Sequence, residues 1–120
     1  MALARTDLTP VYQVAAASTV GVVTVGSGQT VFIKSVLIHN LNLSTDQNVK
    51  VHVVPNNSGS AGSSSSITQI ARVGVATADT FFFEPAYPIV LRNNGDTLQI
   101  QNEGSTTDSI NVLVTGDLET

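Results

Sequence analysis

The hydrophobic pattern is strongest between Thr30 and Asn40, the longest uninterrupted run of strand-forming residues in the chain. At about 3.3 Å per residue this run reaches roughly 35 Å, long for a strand in a small domain. Successive side chains of a strand point to opposite faces. Val31, Ile33, Leu37 and His39 would therefore share one face with Ser35, and Phe32, Val36 and Ile38 the other with Lys34 and Asn40. Both faces are largely apolar, so both need a cover. The polar pair Lys34 and Ser35 breaks the alternation midway and predicts a β-bulge. With one extra residue there, Val31 and Ile33 join Val36 and Ile38 on the core side. Phe32, Leu37 and His39 are then the residues expected at a subunit boundary.

Other segments show the same period of two. Strands are predicted over residues 11–16, 18–25, 49–54, 67–75, 79–84, 89–91, 97–102 and 109–115. Residues 1–10 read as an N-terminal arm or edge ahead of the domain at 11–120, because Pro10 lacks a ladder donor and suits a strand start. Gly26, Gly28 and Asn93, Asn94, Gly95 mark turns. Residues 56–66 contain no apolar side chain larger than Ala and read as a long exposed loop. No segment has a helical period. About eight short strands with regular turn signals predict an all-β, single-domain antiparallel β-sandwich, with a jelly roll the leading topology. An immunoglobulin-like sandwich is the second choice, weakened by the lack of Trp and Cys.

Composition narrows the function classes. Only 12 % of residues are charged, about half the usual share. Small polar residues supply most of the polarity, as in rigid all-β domains and assembly subunits. The net charge of −4 and the lack of a Lys/Arg run argue against nucleic acid as a partner. No stretch is long and apolar enough to span a membrane as a helix. Asp7, Pro10, Tyr12 and Gln13 interrupt the N-terminal apolar residues, so a secretory signal is not expected. Cysteine is absent, which rules out disulfides and fits cytoplasmic synthesis.

Candidate chemistry is sparse. His39 and His52 sit on predicted strands without carboxylates at ligand spacing, and read as ordinary strand histidines. Most carboxylates fall in turns, where Asp bonds its own backbone. A loop Ca²⁺ site through Asp46, Asp96 or Asp108 lacks the D-x-D-x-D-G pattern. No serine stands in a nucleophile-elbow context. Neither catalysis, nor a metal, nor a cofactor is expected. The run Phe81, Phe82, Phe83 cannot face one core, so Phe82 opposes its neighbours. It is buried on the far side, part of a contact with another subunit or the capsid, or available to stack on a sugar ring, for which the aromatic supply is thin.

Several stretches, taken in order, resemble small virion proteins of tailed bacteriophages. These are the run from Gln29 to Asn40 followed by the Ser/Thr loop at 41–45, and the strand at 49–55 closed by Pro55. Next come the apolar run with Gly95, Asp96 and an alternating strand at 89–100, and the closing strand at 110–119 with its Gly-acidic end. The arm at 1–10 does not match that pattern. The resemblance implies a jelly-roll protein, most like a capsid decoration or cement protein. Such a protein would sit on the outer capsid surface, bridge major capsid subunits, and pair with itself as a homodimer or homotrimer. It would be made in the bacterial host cytoplasm and bind neither nucleic acid nor membrane. The contact residues expected on this reading are Ala2, Leu3, Arg5 and Leu8 of the arm with Phe32, Leu37, His39 and Phe82. A tail, neck or fibre component, or an adhesin with a carbohydrate-binding sandwich, is the alternative.

Overall fold

The computed structural model describes residues 3–7, 11–104 and 109–120, the first of these as backbone only. Its strands are β1 (Leu3–Asp7), β2 (Tyr12–Val14), β3 (Thr19–Thr24), β4 (Thr30–Asn40), β5 (Gln47–Val54), β6 (Gln69–Val75), β7 (Thr80–Phe83), β8 (Ile89–Leu91), β9 (Thr97–Asn102) and β10 (Ile110–Glu119). Among the described residues there is no helix.

The strands form two antiparallel sheets. A front sheet runs β1-β10-β4-β7, with β2 also on β10 and β8 also on β4; a back sheet runs β3-β9-β5-β6. β1 and β2 pair with successive parts of β10, and β7 and β8 with successive parts of β4. Each of these two pairs is one strand position broken in the middle. Eight positions result. Their pairings nest: β5 with β6, β4 with β7/β8, β3 with β9, and β1/β2 with β10. A long antiparallel ribbon of this kind, rolled so that β10 meets β4 and β9 meets β5, is a jelly roll. The chain is thus a single-domain antiparallel β-sandwich.

The expected bulge is present. β10 pairs Thr115 with Ser35 and Gly116 with Ile33, which leaves Lys34 as the extra residue of β4. The bulge resets the alternation, so Val31, Ile33, Val36 and Ile38 are all buried. It also explains why the strand beside β4 is broken. β7 covers Val36 to His39 and β8 covers Val31 to Ile33, and Pro85 and Pro88, which lack ladder donors, lie in the gap between them.

Valine, isoleucine and leucine make the core, from Ile33 and Ile38 in front to Val51, Leu98 and Ile100 behind. Each such side chain contributes about 1.5–3 kcal/mol through burial. Two asparagines pin the loops at one end of the sandwich. Asn40 is fully buried; its Nδ2 donates to the carbonyls of Thr45 (2.9 Å), Val75 (3.1 Å) and Ala76 (3.2 Å), and its Oδ1 accepts from Asn42 N (2.9 Å). Asn102 donates to Val14 O and accepts from Gly104 N. Such bonding is what makes a buried amide tolerable.

Several strand limits differ from those predicted by alternation: β1 forms within residues 1–10, β2 is confined to Tyr12–Val14, β5 begins at Gln47 and β6 at Gln69. β10 continues through Gly116 to Glu119, beyond the end at residue 115 that alternation predicts, because pairing with β1 and the lower half of β4 holds these residues. The small-polar loop at 56–66 is exposed but anchored. Asp96 Oδ1 accepts from Asn56 N (2.9 Å) and Asn56 Nδ2 (3.0 Å), and Gly62 O accepts from Gln99 Nε2 (2.9 Å).

Candidate docking face

Once the bulge has turned the core residues of β4 inward, its remaining side chains line the outer face of the front sheet. Phe32, Leu37 and His39 all lie there, half-buried. Register then decides what stands beside them. Leu37 is directly opposite Leu113 of β10 and directly opposite Phe82 of β7. The three make an apolar row across three strands. Phe82 is 53 % exposed, while Phe81 and Phe83 pack against the core. Of the readings open for Phe82, burial on the far side does not occur within the monomer.

A second apolar pair, Phe32 and Val90, lies toward the other end of β4. Between the two patches the face is polar and internally satisfied. Lys34 Nζ lies 2.7 Å from Asp117 Oδ2, and Ser35 and Thr115 are hydrogen-bonded through their hydroxyls. Beyond the apolar row, His39 Nδ1 and Thr80 Oγ1 are 2.9 Å apart, with Asn111 on the other flank. The outer face is therefore an apolar bar edged by polar groups, of which Lys34, Asp117, Ser35, Thr115, His39 and Thr80 have partners within the sheet. Such a surface can be covered without stranding charges, as at the centre of protein interfaces.

The other expected contact residues are placed less fully. Leu3 and Arg5 belong to β1, whose backbone register sets them opposite Glu119 and Asp117. Ala2 and Leu8 lie outside the described residues. Two members of the face, Leu113 and Val90, are not among the expected contacts. Leu113 was legible: it alternates against Ile110, Val112 and Val114, all buried. Val90 was not, because a three-residue strand flanked by Ile89 and Leu91 has no alternation to read.

Of the candidate Ca²⁺ ligands, Asp46 and Asp96 are otherwise engaged. The Asp96 carboxylate accepts hydrogen bonds from Asn56, from Asn93 N (2.9 Å) and from Arg92 N (3.4 Å). Asp46 Oδ1 accepts from Thr77 N (3.0 Å), and Asp108 lies outside the described residues. Burial presses the Asp96 carboxyl upward, but the donors from Asn56, Asn93 and Arg92 together outweigh it and hold its pKa below the ordinary value. Among the described residues no group of three His, Asp or Glu could hold a metal ion.

No known family model and no curated protein matches the chain. Among solved structures, a chain from the structure of the infectious bursal disease virus Gx strain aligns with 98 % of this chain. The identity is 11 % and the TM-score 0.29, and the alignment spans 30 % of that chain. At that level the fold rests on this chain's own strand topology.

Proposed function

We propose that this protein is a non-enzymatic structural component of a tailed-phage virion that decorates the outer capsid surface and stabilises it by bridging major capsid subunits. The observation that carries the reading is the apolar bar Leu113, Leu37, Phe82, built across three strands on an outer sheet face. Jelly rolls host many functions, so the fold alone assigns none. The bar supplies what a bridging protein needs, a rigid sheet presenting a dry strip. The resemblance of the segments from Gln29 onward to phage virion proteins supports the phage setting. In the particle this face packs on the capsid or on a second or third copy of the chain, with no part for nucleic acid or membrane. Contacts to several subunits act as linked sites, so modest single contacts still give high occupancy.

The test is a particle lacking this protein. Such particles are expected to assemble and then lose resistance to heat or chelator, with recovery when purified protein is added back. Failure of the particles to form, or recovery of the protein only from tails, would overturn the reading.

A further inference from the structure

The back sheet has an outer face of opposite character. One row across it carries Thr19, Gln101, Lys50 and Arg72, and the next carries Gln99, His52 and Gln69. The loop before β6 rises beside these rows and encloses a hollow of about 260 Å³. Its floor is Thr19, Gln101, Lys50 and His52, and its wall is Gln69 with the serines at 64–66. Every lining residue is polar and none is acidic. The volume lies just below the roughly 300 Å³ at the small end of ligand pockets, the scale of a single sugar ring.

The hydrogen bonds separate supporting groups from available ones. His52 is buried, and both ring nitrogens are engaged, Nδ1 with Thr68 Oγ1 (3.0 Å) and Nε2 with Gln101 Oε1 (3.2 Å). Thr68 Oγ1 donates to Ser65 O (3.0 Å) and accepts from Ser65 N (2.9 Å). This chain fastens the wall to the floor. Among the described residues, the side chains of Thr19, Ser64, Ser66 and Gln69 have no partner within the protein. Lys50 Nζ is 3.5 Å from Glu103 Oε1, but the other oxygen of Glu103 is held by Arg72 Nε at 2.8 Å. One carboxylate is thus shared between two cations, and the Lys50 end retains positive charge and free donors.

We propose that this hollow binds a carboxylated sugar, a uronic or nonulosonic acid unit of a polysaccharide. Lys50 takes the carboxylate, and the hydroxyls and amide of Thr19, Ser64, Ser66 and Gln69 take the ring hydroxyls. A simple anion would use Lys50 and leave the other polar groups to water. A ring bearing several hydroxyls uses them together. The hollow is on the sheet opposite the apolar bar, so it stays open when that bar is covered. The site does not depend on the capsid reading, and its test uses the isolated protein.

The experiment is titration of the full chain with glucuronic acid and N-acetylneuraminic acid, followed by amide chemical shifts. Glucose, acetate and inorganic phosphate are the comparison ligands. Saturable shifts confined to the hollow are expected with at least one acidic sugar, and weaker binding with glucose and acetate. Lys50→Met is expected to weaken the acidic sugar about tenfold. Gln69→Ala, on the edge strand, should weaken it several-fold and serves if Lys50→Met fails to fold. Equal binding of glucose shows that the carboxylate adds nothing and overturns the proposal. Acetate or phosphate binding as tightly as both sugars reduces the hollow to an anion site and overturns the proposal, as does the absence of any saturable shift.

Discussion

Phe82 on β7 stands directly across from Leu37 on β4, and both face away from the core. Phe82→Glu is therefore expected to leave the fold intact, with stability changed by no more than about 0.5 kcal/mol. It should abolish attachment to particles, because it places an unpaired charge at the β7 end of the buried strip, beside Leu37. Co-sedimentation with particles stripped of the protein, beside a thermal melt, reads both outcomes. Undiminished attachment would move the docking surface elsewhere.

Gly95 is the turn residue whose replacement the fold resists most. Its φ is +94°, and an added Cβ would sit 2.7 Å from Ser60 O and 2.9 Å from Asn56 Cβ. Gly95→Ala combines left-handed strain with displacement of the anchored loop, so a loss of at least about 2 kcal/mol is expected. Gly28 also has a positive φ, +74°, but its Cβ position is open. Gly28→Ala should cost under about 1 kcal/mol, since reduced unfolded-state entropy offsets part of the strain. Urea unfolding of the two variants compares them directly.

Acid should loosen the same turn. The Asp96 pKa is held below its ordinary 3.8. A depressed carboxylate contributes stability that is fully present above the unfolded pKa and lost as pH falls through the folded one. Glu103 is also held down: burial presses it up, but Arg72 and Lys50 outweigh that. Stability should therefore hold above about pH 5 and decline below about pH 4. Asp96→Asn should be less stable at neutral pH and show a shallower acid slope. Unfolding free energies measured across that range would reveal an unchanged slope if the assignment is wrong.

Lys34 is the added residue of the bulge and the cation beside Asp117, which is only 6 % exposed. Lys34→Met removes the Lys34 ammonium from that carboxylate. Because the Lys34 side chain is itself 46 % exposed, solvent screening limits the expected loss to about 1 kcal/mol. The double variant Lys34→Met with Asp117→Asn should recover part of it, which a double-mutant cycle would detect.

Much of this protein is written in local order. The period of two, the turn residues and the polar pair at Lys34 and Ser35 determine an all-β chain, the extent of β4, β8 and β9, the bulge, and the outward set Phe32, Leu37 and His39. These features depend on neighbours a few residues apart, which alternation reports directly. What tertiary structure decided is which residues meet across strands. Leu37 is joined to Leu113 and Phe82 by pairings 76 and 45 positions away in the chain, and only sheet register sets such partners. The same holds for the small-polar loop. Its composition reads as slack chain, yet Asn56 on Asp96, Gly62 on Gln99 and Thr68 on His52 hold it over the back sheet. Those bonds join residues 16 to 40 positions apart, so no local pattern announces the hollow they enclose.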